Sequence, residues 1–92
     1  MYNNYFHGKV VLVTGGGSGI GRGLSQKLAE VGAIVICTDI DEDKAAQTVS
    51  LVGDKKAVAL KLDVTMPDDF ETLVEGIVKQ YSGSILYLTM QE

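Results

Sequence analysis

The 92-residue chain has a single cysteine, Cys37, so it forms no internal disulfide, and no Cys/His cluster has the spacing of a metal site. A chain this short buries a modest share of its surface, and here nothing covalent or metallic is added to its core. The lone thiol fits a reducing cytoplasm, where disulfides do not persist. Positive charge is sparse too. Eight scattered Lys and Arg against twelve Asp and Glu leave a net charge of −4, which excludes the concentrated basic surface that nucleic acid requires. Long apolar runs are missing: the apolar stretches are strand-length, and Met1 to Lys9 lacks a charged-then-apolar layout. Neither a membrane span nor a secretory leader is expected, and the protein is assigned to the cytoplasm.

What is present is an alternation of two periods. Val10-Val11-Leu12-Val13 is a continuous β-branched-rich run ended by glycines, the pattern of a strand buried on both faces of a parallel sheet. Ile20, Leu24, Leu28 and Val31 recur at helical spacing, and Gly32 follows where a left-handed cap is wanted, which predicts a helix over Gly19 to Val31. Ala33 to Cys37 reads as a second buried strand closing on Asp39. Asp41 to Leu51 reads as a second helix, with Ala45, Ala46 and Val49 on its inner face behind an acidic first turn. Ala57 to Leu62 is a third strand running into Asp63 and Val64. Thr65 is the expected N-cap of a third helix, Pro67 falls close to its first turn, and Phe70, Leu73, Val74, Ile77, Val78 and Tyr81 keep a 3-4 spacing. That face absorbs the cost of about 1 kcal/mol carried by Gly76. The order β-α-β-α-β-α with short connections predicts one domain over residues 1–92. Its class is α/β: a three-layer, doubly wound parallel sheet of Rossmann type, incomplete at about three strands and three helices.

Between the first strand and the first helix lies Thr14-Gly15-Gly16-Gly17-Ser18-Gly19-Ile20-Gly21. A dinucleotide's pyrophosphate needs close backbone approach, free N–H donors and the positive end of a helix, all of which a misplaced side chain would block. Gly15 suits the tight turn out of the strand, Gly19 the approach of the pyrophosphate, and Gly21 the packing of helix on sheet. Glycines also gather in ordinary turns; here the loop follows a strand, opens a helix, and is followed about 20 residues on by an acid ending the next strand. A nucleoside-triphosphate loop is excluded, because Arg22-Gly23 stands where Lys and Ser/Thr are required. Asp39 is placed to accept hydrogen bonds from adenosine ribose hydroxyls. A 2′-phosphate there would meet a like charge, costing roughly 4 kcal/mol at 4 Å and an effective dielectric of 20. Ser18 and Ile40 bring no compensating cation, so NAD is expected over NADP. Asp39 also suits the cap of the following helix, and Asp63 serves equally as an adenine contact or as the cap of a strand-to-helix turn.

The run T-G-G-G-S-G-I-G from Thr14 to Gly21, Asp39 after the second strand and Asp63-Val64 after the third resemble the short-chain dehydrogenase/reductase family over about residues 8 to 82. The resemblance implies hydride transfer between a nicotinamide and an alcohol or carbonyl substrate. It implies a cofactor site made of Gly15, Gly17, Ser18, Gly19, Ile20, Gly21, Asp39, Ile40, Asp63 and Val64, and homo-oligomers among full-length members.

The family's later elements, a fourth strand ending in Asn-Asn-Ala-Gly, a catalytic Ser and a Tyr-x-x-x-Lys pair, are not read in this chain. Tyr81 has no lysine four residues on, and Tyr2, Tyr5 and Tyr87 are set aside on the same ground, so no catalytic residue is assigned. The codons available to Tyr87 through Glu92 include a set whose neighbouring frame spells Phe-Asn-Asn-Ala-Gly, which suggests a frameshift near residues 82 to 87 and a truncated, inactive cofactor-binding half. In the family's strand order the first strand is central, so truncation would expose Val10 to Val13 as an edge. Ser84 to Thr89 is apolar and aromatic enough to cover that edge as a substitute strand. The alternative function is a non-enzymatic fragment that pairs with full-length relatives through an exposed sheet edge.

Overall fold

The computed structural model describes residues 6–53, 57–63, 65–81 and 85–89. At its centre is β1 (Val10–Thr14), buried along its whole length. Alternate side chains of a strand face opposite sides of the sheet, and β1 uses both. Val11 and Val13 enter a cluster with Leu28, Ala29, Val35, Cys37 and Ala45, whereas Val10 and Leu12 pack with Ile36 and Ile77 on the other side. Each fully buried Val, Leu or Ile contributes about 1.5–3 kcal/mol, which is why the continuous apolar run reads correctly as a strand covered on both faces.

α1 (Gly19–Glu30) follows β1. It ends where the sequence indicates: Gly32, at φ 93°, lets its own N–H reach the Ala29 carbonyl and that of Ala33 reach Leu28, the two bonds of a Schellman cap. The inner face of the helix differs from the apolar periodicity in one respect. Ile20 is 70% exposed, and the buried positions are Gly21, Ser25, Leu28 and Ala29. β2 (Ile34–Asp39) pairs in parallel with β1. α2 (Glu42–Val52) is capped by Asp41, whose side chain accepts the N–H groups of Asp43 and Lys44. Its buried residues are Ala45 and Thr48, with Val49 and Val52 partly buried, while Ala46 faces solvent. The expected inner position of Ala46 is therefore corrected, and a hydroxyl takes part in the face instead.

β3 (Ala57–Lys61) pairs with the outer side of β2. α3 (Pro67–Tyr81) begins on its only proline, where the missing N–H costs nothing. The position before it is Met66, whose carbonyl accepts the Phe70 N–H. Thr65 is therefore not the N-cap; its hydroxyl turns back to Asp63. α3 lays Phe70, Leu73, Val74 and Ile77 against the Val10/Leu12 side, whereas Val78, predicted for the same stripe, is exposed. The tail forms β4 (Ile85–Thr89), parallel to β1 from Val10–Ile85 to Thr14–Thr89.

The sheet is therefore four-stranded in the order β3-β2-β1-β4, with α1 and α2 packed on one face and α3 on the other. This is a doubly wound, Rossmann-type arrangement. β1 has a neighbour on both sides, so the edge that a docking partner would have used is occupied by β4.

Candidate functional site

In an open parallel sheet the ligand crevice lies beyond the carboxyl ends of the strands, where the strand order reverses. Here that point is the end of β1, between β2 and β4, and the residues beyond it are the glycine loop. Gly15 turns the chain out of β1 at φ 68°, a left-handed conformation that side chains other than glycine rarely adopt. At Gly21 a Cβ would fall on the Gly15 carbonyl, so only glycine lets α1 sit this close to the loop. At Gly17 a Cβ would lie 2.7 Å from the Asp39 carboxylate.

The loop is tied to β2 on one side. Gly16 donates its N–H to the Thr38 carbonyl at 2.8 Å, and Gly17 donates to Oδ2 of Asp39 at 2.9 Å. The other oxygen, Oδ1, accepts the Asp41 N–H at 3.0 Å. The acid named from the sequence and the glycines named from the sequence are thus one structure. An ionised carboxylate has about four acceptor positions, so these two bonds leave capacity on Asp39 for a further donor.

Three helices start at this end of the sheet, and they differ: α3 carries Asp68 and Asp69 in its first turn. The first amides of α2 are engaged by Asp41, and acidic Glu42 and Asp43 follow. α1 begins after Ser18 with no side-chain cap and no acidic residue in its first turn. Its positive end is the one left for an outside anion. Gly19 and Ile20 form that first turn and are exposed, and Ile40, beyond Asp39, is 62% exposed. Beside them Ile40, Asp41, Glu42, Asp43 and Lys61 line a shallow depression of about 430 Å³. Lys61 is the register partner of Asp39 on β3, a cation at this end that the sequence reading did not weigh.

Asp63 sits just past β3 and accepts both the N–H and the hydroxyl of Thr65 on Oδ1, at 2.9 and 2.6 Å. These bonds, the hydroxyl's first, hold its carboxyl below the usual carboxylate range. Val64 lies outside the described residues. Cys37 packs under the loop, where burial pushes its thiol up. Among the described residues no group of three or more His, Cys, Asp or Glu could hold a metal ion, and no helix is long and apolar enough to cross a membrane.

Sequence reasoning missed Arg22 and Thr48. In the sequence Arg22 only excludes a triphosphate loop, yet its Nη2 donates to the Gly17 carbonyl at 2.6 Å and its Nε to the Thr48 hydroxyl at 2.9 Å. Thr48 in turn donates to the Gly16 carbonyl at 2.7 Å. The Arg22–Thr48 and Thr48–Gly16 contacts span 26 and 32 residues, and no local pattern announces them. One exclusion also needs correcting: Tyr5 does stand four residues before Lys9, so spacing alone does not set it aside. Tyr5 itself lies outside the described residues. Lys9 enters β1 at the end opposite the loop, a strand length of roughly 16 Å away, so this lysine is remote from the glycine loop.

A glycine turn braced by an acid at the end of the next parallel strand defines a nucleotide-binding sheet of the Rossmann type. The chain belongs to the short chain dehydrogenase family, whose pattern it matches over residues 9–90. It is 40% identical over 79 residues to L-2,3-butanediol dehydrogenase of Corynebacterium glutamicum, covering 82% of this chain and 31% of that protein. Hydroxysteroid dehydrogenase from Escherichia coli superposes with a TM-score of 0.86 at 26% identity, over 95% of this chain and 38% of the other. A short chain dehydrogenase/reductase from Burkholderia phymatum in complex with NAD gives 0.81 at 28% identity, over 89% and 30%. The chain thus spans about a third of the length of these relatives.

Proposed function

We propose that these residues bind NAD as the cofactor-binding part of an oxidoreductase that moves a hydride between a nicotinamide and an alcohol or carbonyl group. The observation that carries the reading is the bond from the Gly17 N–H to the Asp39 carboxylate, which joins an anion-receptive loop to a ribose-receptive acid. The pyrophosphate lies over Gly15, Gly17, Ser18, Gly19 and Gly21 at the α1 N-terminus, with Ile20 in apolar contact beside it. The adenosine ribose hydroxyls donate to Asp39, and the adenine lies between Ile40 and the Asp63–Val64 turn. The cleared cradle at Gly21, the uncapped start of α1 and the exposed Ile20 and Ile40 support this arrangement. So does a relative solved in complex with NAD.

NAD is preferred over NADP because Asp39 repels a 2′-phosphate. Lys61, one strand away, reduces that preference without cancelling it. When bound, the nicotinamide supplies the hydride acceptor or donor. A proton must accompany the hydride, and no described residue at this end of the sheet is a phenol paired with a lysine. The role read for these residues is therefore to hold the dinucleotide, with no proton carrier assigned among them. The chain does so in the cytoplasm, with Cys37 as a buried thiol.

Calorimetric titration of NAD into the chain tests the reading. Saturable binding that weakens at least about tenfold in Asp39→Ala supports it; binding indifferent to that substitution, or none, refutes it.

A further inference from the structure

Gly16 and Gly17 are buried in the middle of the loop, and all four of their backbone polar groups have partners. Both N–H groups go to β2 and its end, through Thr38 and Asp39. Both carbonyls go to the helices, that of Gly16 to Thr48 on α2 and that of Gly17 to Arg22 on α1. Thr48, fully buried, is specified on both sides, since its hydroxyl donates to Gly16 while accepting from Arg22. Gln47 holds a further guanidinium contact at 3.3 Å.

A carbonyl oxygen carries partial negative charge, so a loop that receives an anion must keep its carbonyls turned away from it. We infer that Thr48 and Arg22 are positioning residues that draw the Gly16 and Gly17 carbonyls back into the protein, so that neither oxygen opposes an anion received by the amides at the uncapped start of α1. The inference rests on the dinucleotide reading and extends it to two residues that touch no part of the ligand. Without the Thr48 hydroxyl, the Gly16 carbonyl loses its donor, and the Gly16–Gly17 peptide is held only by the bond from its N–H to Asp39, a weaker restraint on where its oxygen points.

The role separates from plain stability by ligand. ADP carries the pyrophosphate and adenosine does not, while both use Asp39. Thr48→Val keeps the side-chain shape and removes the hydroxyl; Thr48→Ser restores it. In calorimetry, Thr48→Val is expected to weaken ADP binding about tenfold and adenosine binding less than twofold, and Thr48→Ser to bind ADP like the unsubstituted chain. Equal losses for ADP and adenosine, or no loss for either, overturn the inference. If Thr48→Val fails to fold, Arg22→Met, at a half-buried helix position, carries the same comparison with the same expectations. An unsubstituted chain that binds neither ADP nor NAD sinks the dinucleotide reading and the brace with it, whereas ADP binding unaffected by the substitutions sinks the brace alone.

Discussion

The carboxylate of Asp39 accepts the backbone N–H of Gly17 at 2.9 Å, linking the end of β2 to the middle of the glycine loop. One side chain thereby holds the loop and presents negative charge at the place where a ribose is proposed to lie. The second oxygen is fixed by the Asp41 N–H, so the carboxylate is oriented before any ligand arrives, which lowers the ordering cost of binding.

Replacing Asp39 by Asn keeps the shape and one carbonyl acceptor but removes the charge. NAD affinity is expected to fall about tenfold or more, since hydrogen bonds to charged groups are worth about 1.5–3 kcal/mol. NADP affinity is expected to hold or rise. Parallel titrations of the two dinucleotides check this, and a uniform loss for both would show that Asp39 acts only as a loop brace.

The glycines separate into two kinds. Gly21→Ala puts a methyl group against the Gly15 carbonyl and 3.0 Å from the Gly16 Cα. It should cost roughly 1–3 kcal/mol in urea unfolding and remove dinucleotide binding. Gly23→Ala and Gly76→Ala meet nothing within 4 Å and lie in α1 and α3. Each should stabilise by about 0.5–1 kcal/mol with binding unchanged.

In the core, Leu12 is 1% exposed and packs against Ile36 and Ile77 between β1 and α3. Leu12→Ala is expected to cost about 2–5 kcal/mol. For a chain this small that is a large part of the total stability, and circular dichroism at room temperature should show it largely unfolded.

Thr65 sets the pH response of the turn after β3. Its hydroxyl and N–H lower the Asp63 carboxyl below its ordinary value. A folded-state value below the unfolded one contributes stability at pH above the ordinary carboxylate range, lost as pH falls through the folded value. Thr65→Val removes the hydroxyl, the larger cause, and should return the Asp63 titration toward the ordinary range, as followed by NMR of its carboxyl carbon.

Much of this architecture is visible in the sequence because it is local. Val10 to Val13 announces a two-sided strand, Gly32 a left-handed cap, and Pro67 the start of α3, each within a few residues of its cause. The four-strand order also follows, once the apolar content of the tail is taken as a strand. The inner face of α2 is less legible, because Thr48 is buried for its hydroxyl rather than for apolar area, and a hydrophobic count favours Ala46. The same holds for the cap of α3: Thr65 has the right chemistry, but Asp63 competes for its hydroxyl. The candidate site divides similarly. Gly15 to Gly21, Asp39 and Asp63 are marked by type and spacing. Arg22, Thr48 and Lys61 are not, because their roles depend on neighbours brought in from other strands and helices.

The central claim is that the Gly17–Asp39 pair builds a site for NAD and discriminates against a 2′-phosphate. Calorimetric titration of the unsubstituted chain with NAD and, separately, with NADP tests it most directly. The account predicts saturable one-to-one NAD binding and NADP binding weaker by about tenfold or more, the Coulomb penalty at Asp39 being reduced by Lys61. Equal affinities, tighter NADP binding, or no binding of NAD would contradict it.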